Sequence, residues 1–412
     1  MRFPLALTLK IASTLLRNRL RGVSKFATVL QLEPLHACNL KCTGCGRIRE
    51  YASTLKEHMS LAECLDAATE CDAPMISICG GEPLIYPEIE ALVVGLREQK
   101  RIVYICTNAL LLRRKLKEYL AVQNQQNAAK YGPLIDRLIA EALISPEDAA
   151  TIRQGPKDPS KPIIEPTEWL YWNIHLDGVE ATHDLIVERK GTFKEAILGI
   201  RMAKILGYQV ATNTTVYKET NMPEVEDLLT YLGSLGVDGH TVSPGYDYSD
   251  AAEDMIRTGK GRPEDFFLTR GETIKKFADI QKWSREYPLL GTPIYFEFLA
   301  GKRDLSCSAW AIPTRNVRGW RGPCYLVADA HYASYKELLE KTDWSRLGRV
   351  KGKATDPRCE NCMVHCGYEP TATLGIGALP GDTWKNIRFN FGPKPRFKPR
   401  EVNAFNGDHG DK

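Results

Sequence analysis

Six short runs rich in β-branched and aromatic residues recur along the chain, at 28–34, 74–83, 101–108, 170–178, 208–216 and 237–245. Helical patterns at 60–71, 87–99, 194–206 and 223–235 separate them. Strands that alternate with helices build βαβ units, and such units build a parallel sheet. Six units without a seventh and eighth predict an α/β fold, a partial (β/α)6 TIM-type barrel over residues 28–300. In such a barrel the chemistry collects at the C-terminal ends of the strands. Here the runs finish in CNLKC, GGEP, CTN, HLDG, NTT and SPGY, each polar or glycine-rich after an apolar stretch.

The segment HACNLKCTGCG (36–46) follows the first run and carries Cys38, Cys42 and Cys45 in C-x3-C-x2-C spacing. Three thiolates this close face one point only if the chain loops around it, as it does around a cuboidal iron–sulfur cluster. A structural zinc site wants a fourth Cys or His. His36 is the local candidate, at a spacing that matches no common zinc pattern. By spacing alone both a cluster and zinc stay open. The second run ends in Gly80-Gly81-Glu82-Pro83. Glycines let a ligand approach the backbone closely, and the Glu82 carboxylate is suited to accept bonds from an ammonium group.

The triad and the GGEP together resemble the radical S-adenosylmethionine (radical SAM) superfamily. The resemblance implies that Cys38, Cys42 and Cys45 bind a 4Fe–4S cluster whose open iron chelates S-adenosylmethionine, while Gly80, Gly81 and Glu82 hold the methionine amine. Cluster reduction then splits the sulfonium to give a 5′-deoxyadenosyl radical. Asn108, His175, Asp177, Asn213 and Ser243 end later strands, where the superfamily contacts ribose and adenine. The position before the last cysteine is often aromatic in the superfamily, and here it is Gly44. Cys307, Cys324, Cys359, Cys362 and Cys366 return in a cysteine-rich stretch, 301–375, after the periodicity decays. They resemble the start of the auxiliary-cluster extensions of many superfamily members, which implies a second 4Fe–4S cluster. A zinc knuckle or unligated structural thiols are the other readings.

Within the superfamily, SICGGEPL, VYICTNALLL, HLDGVEATHD, DGHTVSPGYDY, EFLAGKRD, PTRNVRGWRGPCYL and CENCMVHCGYEPTA resemble the adenosylhopane synthases of hopanoid biosynthesis, through most of 25–375 except an additional insertion near 112–168. That resemblance implies an adenosyltransferase that adds the 5′-deoxyadenosyl radical to the terminal alkene of a diploptene-like triterpene. The resulting carbon radical needs a hydrogen atom, and an S–H bond is weaker than the C–H bond it makes. Cys106, at the end of the third run, is the expected donor, with Cys79 as the second candidate. Cys64 and Cys71 read as helix core. An apolar substrate needs aromatic and aliphatic walls, for which Tyr171, Trp172, Tyr246, Tyr248, Tyr295, Phe296, Trp310 and Trp320 are candidates. The rival reading is a peptide- or protein-modifying enzyme that uses an auxiliary cluster and releases 5′-deoxyadenosine.

Residues 1–27 interleave apolar residues with Lys10, Arg17, Arg19, Arg21 and Lys25. Such a basic amphipathic helix lies on an anionic membrane surface or packs on its own domain. Near 112–168 helices are expected at 112–129 and 133–153, forming an inserted subdomain, a lid or plain decoration. Residues 376–412 read as a disordered or loosely docked tail. A net charge of +4 is too mild for a nucleic-acid partner. Twelve clustered cysteines place the chain in the cytoplasm, at the inner face of the membrane if the helix docks there. The chemistry requires an electron donor of the flavodoxin or ferredoxin type.

Overall fold

The computed structural model describes residues 3–247 and 249–395. Six strands, β1 (Val29–Glu33), β2 (Met75–Ile78), β3 (Ile102–Thr107), β4 (Leu170–His175), β5 (Gln209–Val216) and β6 (Gly239–Pro244), pair in parallel in chain order. The period-2 alternation of a strand sends successive side chains to opposite faces. Leu30, Leu32, Ile76, Ile78, Val103, Ile105, Trp172 and Ile174 point outward into one core with the covering helices. The alternate set, Gln31, Ser77, Tyr104, Cys106, Asn173, His175, Asn213 and Thr241, lines the lumen. The expected partial barrel is therefore the fold.

Three further strands extend the sheet beyond β1. β7 (Thr314–Asn316) runs parallel to β1, and β8 (Gly319–Pro323) and β9 (Ala328–Tyr332) follow it antiparallel. Part of the cysteine-rich extension is thus woven into the barrel sheet. At the other edge, a strap after the last barrel helices pairs with β6: His240 N donates to Pro288 O at 3.0 Å, and Leu290 N donates to His240 O at 2.7 Å.

The stretch after β3 holds three helices, Leu112–Gln126, Ala128–Ala140 and Pro146–Gln154, instead of two. The break falls where Ala142 takes a left-handed φ of 54° and Ser145 opens a capping box with Asp148. Leu112–Gln126 serves as the crossover helix of β3. The other two bury Tyr131, Ile135, Leu138 and Ile152 in the main core, outside the lumen. None of 112–168 lines the central cavity, so the segment thickens the outer layer and is no lid.

The first helix, α1 (Leu5–Leu20), closes the floor of the barrel. Leu7 is fully buried among Ile102, Tyr104, Tyr171 and Ala211 at the strand starts. The expected C-terminal tail is partly ordered. After α2 (His365–Leu374), residues 382–391 form α3 (Asp382–Phe391), held by the buried Arg303–Asp382 pair and by Phe389 edge-on to Phe296. Tail residues 396–412 lie outside the described residues, as do Met1, Arg2 and Tyr248. Among the described residues no helix is long and apolar enough to cross a membrane.

Candidate active site

The loop carrying the cysteine triad is fixed from beneath by charge. Glu33, at the end of β1, is fully buried and receives Arg47 Nε at 2.8 Å. Burial by itself would push the Glu33 carboxyl up, but Arg47 and His36 overcome it and hold it at about 2. Arg49 donates from Nη1 to the carbonyls of Cys42 (2.9 Å) and Cys45 (2.5 Å), closing the turn around the thiols. His36 is no metal ligand. Its Nδ1 bonds Thr54 Oγ1 at 2.9 Å, its Nε2 faces Glu33, and its ring stacks on Tyr51 with centroids 4.0 Å apart. Among the described residues no three His, Cys, Asp or Glu side chains converge as ligands of a single ion. A cluster, by contrast, takes each thiolate on a separate iron.

The chemistry of the three thiols also suits a cluster. Burial pushes the Cys38 thiol up to about 12 and the Cys42 thiol well above its ordinary value, with the neighbouring thiols adding to both. Thiolates in this pocket are costly unless bound to a metal that neutralises them.

The GGEP turn docks directly on this loop. A Cβ at Gly81 would lie 1.9 Å from Ala37 O, and one at Gly80 would lie 2.4 Å from Leu35 O. Gly81 N donates to Leu35 O (3.1 Å) and Glu82 N to Ala37 O (2.8 Å). The close approach that the two glycines permit is therefore made by the protein's own cluster loop. Glu82 is almost completely buried and accepts from Leu84 N (3.0 Å), Thr107 Oγ1 (2.7 Å) and Asn108 N (2.9 Å). Burial raises its pKa and these bonds oppose the rise. A carboxylate has about four acceptor positions, so one remains for a ligand amine.

Asn108, His175, Asp177, Asn213 and Ser243 all line a cavity of about 940 Å³ that is also lined by the triad and by Gly80, Gly81 and Glu82. Asn108 Nδ2 donates to Asn39 Oδ1 at 2.7 Å and stands 3.9 Å from Cys38 Sγ. Asp177 is fully buried, accepts from Thr215 N at 2.7 Å and pairs with His175 Nε2 at 2.8 Å. Burial alone would lower the His175 pKa, but Asp177 raises it. Ser243 Oγ lies 3.3 Å from His365 Nδ1. The space left by Gly44 is filled from other elements. A Cβ there would meet Tyr217 Oη at 2.6 Å and Phe266 Cε1 at 2.9 Å, and these two rings stack at 4.2 Å. Sequence spacing could not signal that substitution, because Tyr217 and Phe266 are remote from Gly44 in the chain.

Cys106 sits within the lumen between strands. Its Sγ is 3.2 Å from Ser77 Oγ and receives Asn173 Nδ2 at 3.3 Å. Burial raises its pKa, opposed in part by those two bonds, so the group stays an S–H at neutral pH. Cys79 lines the same cavity. Of the aromatic wall candidates, Tyr246, Tyr295 and Phe296 line it. Tyr171, Trp172, Trp310 and Trp320 do not: Trp172 and Trp320 fill the outer core, Tyr171 packs at the strand starts with Leu7 and Tyr104, and Trp310 packs against Phe26. Glu369 lines the cavity too, its carboxyl pushed up to about 8 by burial there.

The five C-terminal cysteines come from separate segments: Cys307 ahead of β7, Cys324 directly after β8, Cys359 and Cys362 ahead of α2, and Cys366 within α2. Cys307, Cys359, Cys362 and Cys366 are each perturbed electrostatically by Cys324. None lines the cavity. Arg47, missed in the sequence although it directly follows the triad, bridges the two regions: its Nη2 donates to Tyr325 O at 2.9 Å and its guanidinium stacks over the Tyr325 ring at 4.0 Å.

Residues 32–125 match the radical SAM superfamily, and residues 240–386 match a domain of unknown function, DUF3463. Pre-heme d1 synthase of Dinoroseobacter shibae is 23% identical over 347 residues, covering 80% of this chain and 72% of that protein. Fe-coproporphyrin III synthase of Methanosarcina barkeri is 24% identical over 197 residues, covering 47% of this chain and 38% of its own length. The crystal structure of Streptococcus suis SuiB bound to the precursor peptide SuiA shares the fold at a TM-score of 0.50 and 12% identity, covering 86% of this chain and 75% of SuiB. In its S-adenosylmethionine-bound crystal form the aligned part is 60% of SuiB, at a TM-score of 0.44. The segment that carries the triad, GGEP and Asn108 is thus the part of the chain that matches the radical SAM superfamily, whose cofactors are a 4Fe–4S cluster and S-adenosylmethionine.

Proposed function

We propose that this radical SAM enzyme is an adenosyltransferase that joins C5′ of the 5′-deoxyadenosyl group to the terminal alkene of a polycyclic, diploptene-like triterpene. The observation that carries the reading is the cavity. It runs from the triad past Cys106 to the barrel floor and, at about 940 Å³, lies at the upper end of the range for small-molecule sites, about 300–1,000 Å³. Its deeper walls, Met75, Tyr104, Leu289, Leu290, Ile294 and Phe296, suit a rigid hydrocarbon.

Cys38, Cys42 and Cys45 would hold the cluster, and Glu82 with the strand-end polar residues would hold S-adenosylmethionine. When bound, the pair supplies an electron and a sulfonium, giving methionine and the adenosyl radical. As C5′ bonds to the terminal alkene carbon, the π bond opens and leaves an unpaired electron on the substituted carbon. Cys106, oriented by Ser77 and Asn173, passes its hydrogen atom to that carbon. The sulfur radical takes up an electron from a flavodoxin- or ferredoxin-type donor and a proton from solvent, which restores the S–H. Cys307, Cys324, Cys359, Cys362 and Cys366 would hold a second cluster. The basic α1 would bring the enzyme to the membrane in which such a hydrocarbon dissolves.

Peptide or protein modification is the second reading, favoured by the likeness to peptide-bound SuiB and by the five gathered thiols. Mass spectrometry of anaerobic incubations with S-adenosylmethionine and diploptene separates the two. An adenosyl adduct is expected, and release of free 5′-deoxyadenosine with no adduct would refute the adenosyltransferase reading.

A further inference from the structure

Two helices flank the lower part of the cavity. From α1 its lining includes Thr8, Ile11, Ala12, Leu15 and Leu16. From the α3 side it includes Ile376, Asn386, Ile387, Asn390 and Phe391. The two segments run in opposite senses beneath the barrel. Arg19, near the end of α1, donates to Leu374 O, just before the α3 segment. At the other end Phe3 and Lys394 line one small pocket with Asp238 and Leu290. Leu16, Ile387 and Phe391 line the cavity and are also 58%, 43% and 46% exposed, so they stand at a mouth.

The outer faces of the same helices are apolar. Fourteen large apolar side chains are exposed among the described residues, and ten of them fall in these two segments, five at 5–23 and five at 376–391. On α1, Leu5, Leu9, Leu16 and Leu20 are spaced to form one stripe, beside the face that lines the slot. On α3, Trp384, Ile387 and Phe391 follow the i, i+3, i+7 pattern of a single face. The bordering charge is mostly basic, with Asp72 beside Arg17 and Glu297 beside Lys385 as its acidic partners. No acidic residue precedes Glu33, and Arg17, Arg21 and Lys25 are exposed. On the α3 side, Asp382 is buried against Arg303, while Lys385 and Arg388 are exposed. An exposed apolar stripe with a basic border is the signature of a helix that lies in a bilayer interface.

We infer that α1 and α3 together form a docking surface for an anionic bilayer, and that the slot between them admits an apolar ligand from the bilayer through the barrel floor, at the end opposite the cysteine triad. The route deepens the adenosyltransferase reading and rests on it only for the identity of the ligand. Its geometry is apt for a long rigid molecule. β3 and β4 each have six residues, at about 3.3 Å per residue, so a reactive end at Cys106 leaves the other end near the floor. The α1 stripe alone would give an amphipathic anchor; the second stripe on α3 and the opening between them give the anchor a direction.

Two measurements test this without any turnover. Cosedimentation with phosphatidylglycerol-rich vesicles should exceed that with pure phosphatidylcholine vesicles, and the Trp384→Ala/Ile387→Asp double variant should lower the vesicle partition about tenfold or more. Binding unchanged in that variant, or equal on the two vesicle types, would overturn the docking surface. For the slot, the rod-shaped apolar fluorophore diphenylhexatriene is titrated into protein in vesicle-free buffer, where it emits only when shielded from water. Ala12→Trp narrows the slot and should cut saturating fluorescence severalfold while vesicle binding persists; uptake equal to wild type would overturn the floor route. If both measurements succeed but no adenosyl adduct is ever found, the substrate assignment fails and the docking surface stands.

Discussion

Gly81→Ala tests whether the GGEP turn acts first as a platform for the cysteine loop. The added methyl carbon would lie 1.9 Å from Ala37 O, far inside the contact distance of about 3.5 Å. Both partners are backbone, so no side chain rotates away, and the loop must retreat by about 1 Å or more. That movement loosens the Gly81–Leu35 and Glu82–Ala37 hydrogen bonds, at 3.1 and 2.8 Å. Overpacking costs about 1–3 kcal/mol and each of the two hydrogen bonds about 1 kcal/mol, giving a loss of about 3–5 kcal/mol, much of the margin of a typical domain. Because Cys38 follows Ala37 directly, the same displacement moves a thiol. The assay pairs urea unfolding of the metal-free protein with iron content after anaerobic reconstitution, and both should fall. Gly132→Ala is the control, since nothing lies within 4 Å of a Cβ there. A Gly81→Ala variant that matched wild type in unfolding free energy and iron content would refute the reasoning.

Cys106→Ala should retain S-adenosylmethionine cleavage but yield unsaturated or otherwise altered adducts by mass spectrometry; an unchanged product would remove Cys106 from the reaction. Arg47→Met strands the Glu33 carboxylate and should cost about 3–5 kcal/mol at neutral pH. In the wild type, Glu33 is held at about 2 against an ordinary 4.5. Its contribution is therefore present above pH 4.5 and lost as pH falls toward 2, and the acid limb of a stability–pH curve should flatten in the variant. Gly44→Phe should weaken S-adenosylmethionine binding measured by equilibrium dialysis, because its side chain collides with Tyr217 and Phe266. Adding Tyr217→Ala should recover much of the loss, whereas a purely additive pair would show that the two positions do not share one space.

The partial barrel was legible because each strand alternates faces and each crossover helix carries its own periodicity. All six strands lie within the expected runs. The triad, GGEP and Cys106 were legible because their positions at strand ends follow from that fold. Trp172 and Trp320 misled as wall candidates, since aromatic content does not state which face of a strand it occupies. The insertion near 112–168 left its role open, because a second buried stripe on Leu112–Gln126 is only meaningful once Ala128–Ala140 is seen beside it. β7–β9 escaped notice because strands of three and five residues give too little alternation to read. Arg47, Arg49 and Tyr217 act through contacts remote in sequence or through backbone carbonyls, which no local spacing encodes.

The two edges of the partial barrel have a consequence for how the chain is made. β1 and β6 would otherwise end the sheet with rows of unpaired N–H and C=O groups, the kind of edge that templates aggregation. β6 is covered only when Pro288–Leu290 arrives, and β1 only when β7–β9, residues 314–332, have been synthesised. A nascent chain that already displays all three triad cysteines still lacks the strand that seals β1, and the carboxylate of Glu33 at its end awaits Asn316, whose Nδ2 lies 3.5 Å from Oε2. Assembly of the iron site therefore belongs after release of most of the polypeptide, and a version truncated before residue 314 should emerge from the ribosome as a sticky sheet, not as a minimal enzyme.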